Sequence, residues 1–515
     1  MALFERISQR GPFFLVLCTM RPFTAFLFML VTAGMAMAQP RAHFTTNVAC
    51  KEAGQQLLQL ELSAAEARLL QERQLDAGNV AILYLQHQSQ FIRSFISEEN
   101  KDFIQLQQLT DQLLDMAETL ENKNPWRSFV ACEALLRLSL VKLKRQEFVS
   151  AGYQIRKAFL QVMELRKKHP TFAPAMRTAG LLHMAMGSVP ENYKWLANLA
   201  GMHGSIDQGA KEMDAAIAEM QSAPNLSFLL DETILIRVFC AAHFEKREAK
   251  ALSMLSNNPS NESGLLLFFK VNTLVKSERY KEALSLIRNH RPSATAYPLH
   301  YLTFQKGLLQ LGALQTKEAA KSFAVYLNQF KGNSFVKAAL HKLAWTHLLQ
   351  GDVDGYRKNM ERILTRGNTF TDEDHQAQRQ AESGETPNVL LLECRLLFDG
   401  GYYDQALEKL SAIPTSKVAS MRDQLEYTYR MARICEKKKL IDRAIRFYTS
   451  TYNNGKNQTY YFAANSALLL GNIHEQSGDQ AKALEWYKKC LALRKHEYQN
   501  SIDQKAESGK NRVSK

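Results

Sequence analysis

The residues of this chain whose types and spacing invite chemistry are an acidic run, a histidine-aromatic stretch and a set of cysteines. Asp372-Glu373-Asp374-His375 strings hard oxygen donors beside an imidazole, the composition of a divalent-cation site. His183, Trp195 and His203 lie where glycines and aromatics concentrate and would line a pocket there. Neither group comes with a matching motif. The chain has no H-E-x-x-H zinc pair, no G-x-S-x-G nucleophile elbow, no P-loop and no glycine-rich dinucleotide fingerprint. An acidic run is ordinarily a solvated face, and a histidine among aromatics ordinarily packs. The expectation is a non-enzyme with no catalytic residue, no metal and no cofactor.

Cys18 lies in the N-terminal apolar stretch, leaving Cys50, Cys132, Cys240, Cys394, Cys435 and Cys490 beyond it. Six in so long a chain are no disulfide scaffold, and none forms a C-x-x-C pair. Most fall on apolar helix faces, where a thiol behaves as a small hydrophobe.

The elements that would hold these residues are helices. The chain has 515 residues, of which only 13 are Pro and 24 Gly, which permits long uninterrupted helices. Residues 1–38 read differently, as a cleaved signal peptide. Arg21 precedes the apolar run Phe23 to Val31, and the small residues Ala36-Met37-Ala38 form an A-x-A site leaving Gln39 at the new N-terminus. Met20 begins a complete signal by itself, so the true start is Met1 or Met20. Neither apolar patch reaches the ~18–20 residues of a spanning helix. Cys18 follows bulky Leu17 and Cys50 lies past the run, so no lipid anchor is read. The expected location is export, to the periplasm if the source is a Gram-negative bacterium. Net charge is +14, which admits an anionic partner or peripheral membrane association. The cations are spread in short clusters such as Arg166-Lys167-Lys168, and export removes nucleic acid from reach, so no nucleic-acid partner is expected.

A repeat organises the rest. From Ala464 to Arg494, Leu470, Gly471, His474, Gly478, Ala483 and Tyr487 stand at the offsets of a helix-turn-helix unit. Small Gly471 lets the second helix approach around Ala483, and Gly478 permits the turn. Pairs of small positions 12 apart recur at Gly307/Ala319, Cys394/Ala406 and Ala432/Ala444, with weaker copies at Val271/Ala283 and Ala344/Tyr356. A polar segment, Arg366 to Asn388, interrupts the series and reads as an inserted loop, with room for a short polar helix. The break Ser256 to Gly264 divides the chain, and the basic tail 501–515 reads as flexible. These motifs resemble the tetratricopeptide repeat, W-x2-L-G-x2-Y followed by A-x3-F, with Leu470, Gly471, Ala483 and Tyr487 matching and Ala467 replacing the tryptophan. The chain is similar to exported bacterial proteins of that kind. Its stretch GSVPENYKWLANLAGMHGSIDQG faintly resembles eukaryotic tetratricopeptide proteins related to the yeast inclusion-clearance factor, with Met202 and His203 departing from their glycine corner.

The resemblance implies an all-α, right-handed superhelical solenoid of antiparallel helix pairs. The expected domains are a degenerate helical region at 39–255 and a regular solenoid at 264–500. Stacked pairs leave a concave face lined by the first helix of each pair. In this frame Tyr301, Phe304, His341, Trp345, Tyr429, Arg433, Asn472 and Glu475 are the candidates for that face, with Arg433 as a carboxylate partner; the aromatics could equally fill the inner seam. The expected function is a scaffold binding a protein or peptide, in envelope assembly. The alternative is a glycan or small-ligand binder or hydrolase using region 183–209.

Overall fold

The computed structural model describes residues 41–189, 200–256 and 264–514. The signal peptide read at 1–38, with Tyr193 and Trp195, lies outside them. Among the described residues there are 24 α-helices and no strand. They are α1 (Val48–Leu58), α2 (Leu62–Leu75), α3 (Val80–Ser97), α4 (Asn100–Glu118), α5 (Pro125–Lys144), α6 (Phe148–Lys168), α7 (Ala173–Gly187) and α8 (Ile206–Ser222). There follow α9 (Ser227–His243), α10 (Glu248–Ser256), α11 (Gly264–Lys276), α12 (Tyr280–Asn289), α13 (His300–Gly312), α14 (Thr316–Gln329), α15 (Val336–Leu349) and α16 (Val353–Thr365). The last are α17 (Asp372–Ser383), α18 (Val389–Asp399), α19 (Tyr403–Ser411), α20 (Met421–Lys437), α21 (Ile441–Gly455), α22 (Phe462–Gln476), α23 (Gln480–Ala492) and α24 (Gln499–Val513).

Starts are set by side-chain caps. Asn124 accepts from the Trp126 N–H ahead of Pro125, Ser205 from Gln208, and Asn388 from Leu390. Ten of the described ends follow one rule. Ten residues with φ between 54° and 82° close a helix, and the residue five positions on is buried each time. The pairs are Leu60/Ala65, Glu98/Phe103, Gln146/Ala151, Lys246/Ala251, Glu278/Ala283, Leu314/Ala319, Gly351/Tyr356, Gly401/Ala406, Lys439/Ala444 and Gly478/Ala483. The next N–H often reaches back five residues, as from Glu147 to Lys142 O (2.9 Å) and from Leu440 to Cys435 O (2.8 Å). This is the 6→1 bond of a Schellman turn, which satisfies an orphan carbonyl and reverses the chain.

The space for the returning helix comes from glycine. A Cβ on Gly307 would stand 2.6 Å from the Phe323 ring, and one on Gly471 2.5 Å from Tyr487. Both rings are fully buried. In the glycine corner, α7 and α8 touch backbone to backbone. A Cβ on Gly209 would lie 2.2 Å from Gly180 O, and one on Gly204 2.5 Å from the His183 Cα. These glycines serve close helix packing.

The chain forms two compact units. One comprises the described residues to Gln305 with Ala324–Ala339 and Arg366–Ala377; the other comprises Lys306–Phe323, Leu340–Thr365 and Gln378 onward. The sequence break at 256–264 falls inside the first. Its core runs from Cys50 to Leu229 and encloses a charge cluster. Arg177 donates to Glu232 (2.8 Å) and pairs with Glu133, while Arg137 donates to the Tyr84 hydroxyl (2.7 Å). Two guanidiniums and two carboxylates balance, which is how buried charge is tolerated. The Glu232 carboxyl is pushed up by burial, but Arg177 and Arg137 hold it below the usual range.

The polar segment 366–388 carries the short helix for which the sequence left room, and the expectation of a flexible tail is corrected. Its helix α17 turns Asp374 and Ala377 inward, and Asp374 accepts from the Phe335 N–H (2.8 Å), the Ala338 N–H (2.9 Å) and the Thr371 hydroxyl (2.7 Å). The acidic run thus caps helix α15. The tail 501–515 is α24 over most of its length, and it packs through Ile502, Ala506, Gly509 and Val513. Its Gly509 faces the Tyr487 ring, and Arg512 bonds both oxygens of Glu475 at 2.7 and 2.8 Å.

Candidate partner-binding face

The first unit holds two of the eight proposed face residues. Tyr301 is partly buried, with its hydroxyl near the Gln305 amide, and Phe304 is 1% exposed. Phe304 lies 5.1 Å from Phe335 and 5.4 Å from Tyr326, ring centre to ring centre. Burial pushes the Tyr301 hydroxyl up to about 12. Phe335 has φ 61°, costly for an aromatic residue, and it is held there by the turn that Asp374 and Glu98 clamp. Glu98 accepts from the Asn333 and Ser334 N–H groups at 2.8 and 2.9 Å and pairs with Lys144 at 2.7 Å.

The second unit holds the other six. His341 and Trp345 are each 1% exposed and Tyr429 is 2% exposed. His341 meets the Gln380 side chain at 2.6 Å, and burial drives its imidazole well below the ordinary value. As partner anchors, Phe304, His341, Trp345 and Tyr429 are out of reach. Their rings fill the seam between helices, because each neighbouring helix covers the position that a single repeat would leave open.

What stays accessible is polar and is built in register. In the last three pairs the residue after the first small position is Arg395, Arg433 and Asn472, along α18, α20 and α22. Arg395 lies 5.0 Å over the Trp345 ring, and Arg433 lies 5.0 Å over the Phe398 ring. Arg433 also donates to the Tyr429 hydroxyl (3.2 Å), which accepts in turn from Asn465 (2.6 Å). Nearby Arg430 pairs with Glu426 at 3.0 Å. Arg433 is partly exposed, enters no ion pair among the described residues, and leaves its buried Nε without a hydrogen-bond partner there. Burial works against its charge, and the hydroxyls of Tyr429 and Tyr448 favour it, holding the group well above its ordinary value.

Asn472 and Glu475 meet at Tyr487, whose hydroxyl lies 2.8 Å from Asn472 Oδ1 and 2.5 Å from Glu475 Oε2. Since Arg512 also binds Glu475, that end of the face is occupied by the chain itself. Sequence reasoning missed Arg395, although its place one residue after Cys394 repeats that of Arg433 after Ala432.

Of the chemistry weighed in the sequence, His183 and the cysteines are spent on packing. His183 Nδ1 meets half-buried Glu212 at 2.6 Å, and the imidazole is buried against Gly204 and Phe159. His203 is exposed. The six described cysteines are buried and unpaired, and burial pushes Cys394 up to about 11 and Cys240 and Cys490 up to about 12. Such thiols stay protonated and unreactive. Among the described residues no helix is long and apolar enough to cross a membrane, and no cluster of side chains could hold a metal ion.

The tetratricopeptide repeat family model matches residues 466–498. Among curated protein sequences none matches the chain. Solved structures similar to it include the human IFIT1 dimer with PPP-AAAA, at 12% identity over 88% of this chain and 97% of that one, with a TM-score of 0.33. Yeast Tom70 is 11% identical over 91% of this chain and 96% of its own, with a TM-score of 0.23. The P58(IPK) TPR domain is 12% identical over 84% and 99%, with a TM-score of 0.22. The chain thus contains a tetratricopeptide repeat at 466–498, whose turn at Gly478 is the last of the ten such turns described above.

Proposed function

We propose that this chain is a non-enzymatic scaffold that binds a protein or peptide partner along the first helices of its second unit. The observation that carries the reading is Arg433. A guanidinium fixed by a tyrosine hydroxyl and an aromatic ring, near Glu436 but in no ion pair among the described residues, is organised in advance for a carboxylate from elsewhere. Arg395, one repeat before, extends the site. The aromatic rings beneath keep the cations in place and take no part in contact. The export reading adds a location at the cell envelope, supported by Arg21, the run Phe23 to Val31 and Ala36-Met37-Ala38.

Crosslinking in the native cell followed by mass spectrometry tests both parts. The expected result is a partner crosslinked near Arg433 that is lost in Arg433→Glu, and a mature N-terminus at Gln39. An unchanged set of crosslinks in Arg433→Glu would sink the binding reading, and recovery of residues 1–38 on the folded protein would sink export.

A further inference from the structure

Helix α6 presents a face that the described residues of its unit leave exposed. Val149 is 52% exposed, Tyr153 61% and Leu160 40%, all large and apolar or amphipathic. At ~100° per residue, these three and Lys167 fall within about 40° of the helix circumference, and they span about 27 Å along its axis. The helix carries five cations, Arg156, Lys157, Arg166, Lys167 and Lys168, against the single carboxylate Glu164. Lys168 is paired with Glu164 at 2.7 Å, and Arg156 donates to Ala200 O. Lys157 and Lys167 are exposed and enter no ion pair. The opposite side of the helix, through Ala151, Ala158, Phe159, Val162 and Leu165, is the side that packs.

We propose that this stripe is an anionic-membrane contact, in which Val149, Tyr153 and Leu160 enter the headgroup region and Lys157 and Lys167 meet lipid phosphates. A protein partner would be gripped by side chains seated in a pocket. Here apolar groups stand singly along a straight helix, an arrangement suited to a plane. Tyrosine favours the membrane–water boundary, and each cation near an anionic surface adds to the attraction within a Debye length. The contact is peripheral, because α6 remains packed in its unit. It is independent of the partner reading at Arg433.

The test is flotation of the full chain with vesicles of phosphatidylcholine containing about 30 mol % phosphatidylglycerol, at low salt and at about 0.5 M salt. Using the full chain keeps the apolar run Phe23 to Val31 the same in every variant. Wild type is expected to float at low salt and to be released at high salt. Lys157→Glu/Lys167→Glu is expected to weaken partitioning by about tenfold or more with an unchanged melting curve. Tyr153→Ser is expected to weaken it without altering the salt dependence. Absence of flotation at low salt overturns the proposal. So does flotation that neither variant changes, equal binding to phosphatidylcholine alone, or an acidic protein that binds this stripe while vesicles do not.

Discussion

Glu98 offers the sharpest test of how the first unit is held. Its carboxylate is only 8% exposed, closes the α3–α4 turn with φ 59°, pairs with Lys144 and anchors two backbone N–H groups of the turn ahead of α15. In Glu98→Gln the amide still accepts one bond, but its NH2 faces donors, and Lys144 loses its counter-charge. Breaking a buried pair from one side costs about 3–5 kcal/mol. The lower end applies, because Lys144 is 22% exposed and keeps the Phe95 carbonyl at 2.7 Å. At about 2–4 °C per kcal/mol, the first unit's transition falls by roughly 6–12 °C at neutral pH. Calorimetry gives the shift, and Trp126, stacked on Phe44, reports the same unit optically. Burial pushes the Glu98 carboxyl up, but Lys144 and the backbone donors outweigh it and hold it below its ordinary 4.5. Its stabilisation is therefore present above that pH and lost as pH falls through the lower folded value. The gap between wild type and variant must close on acidification. A neutral-pH loss below about 1 kcal/mol, or a gap that widens in acid, refutes the account. Glu98→Gln/Lys144→Met should recover part of the loss, since no cation is then stranded.

Asp374 runs the other way. Burial raises its carboxyl from 3.8 to about 6, so its contribution is full below about pH 4 and lost as pH rises through about 6. Urea midpoints should show that downward slope in wild type and its absence in Asp374→Asn. In Gly471→Ala the new methyl meets a Tyr487 ring that Gly509 blocks from behind; about 1–3 kcal/mol is lost, read from urea denaturation. Lys439→Gly relieves a left-handed lysine at φ 61° and should be neutral to about 1 kcal/mol stabilising, whereas Gly401→Ala at φ 76° should cost about 1 kcal/mol. Equal effects at the two positions would contradict the turn rule.

The repeat was legible where two small positions stand 12 apart, as at Gly307/Ala319, Cys394/Ala406, Ala432/Ala444 and Gly471/Ala483, and most clearly where glycine also marks the turn, at Gly401 and Gly478. It faded where Leu60, Glu98, Gln146 and Lys246 hold the same left-handed conformation, since nothing in those residue types announces it. Helix α24 was hidden because its buried stripe, Ile502, Ala506, Gly509 and Val513, is mostly small. The inward turn of α17 was hidden because its key residue is an aspartate. The choice between groove and seam was open in the sequence for a different reason. Position in the frame tells which side of a helix a residue occupies, but Phe304, His341, Trp345 and Tyr429 are covered by neighbouring elements, which no single repeat encodes. Arg433 was legible and Arg395 was not, although they share a register.

The bond from Asn333 to Glu98 joins residues 235 positions apart, and Tyr297 likewise reaches back to the Leu60 carbonyl. An array of nearest neighbours can settle from its first pair as it leaves the ribosome; these two contacts cannot. At about 5–20 residues per second, α3 emerges roughly 12–47 s before the strand of turn that completes it. Throughout that interval the Glu98 carboxylate and the apolar flank of α3 and α4 stand without their final cover, so the early helices depend on the speed of synthesis and on whatever shields them in the meantime.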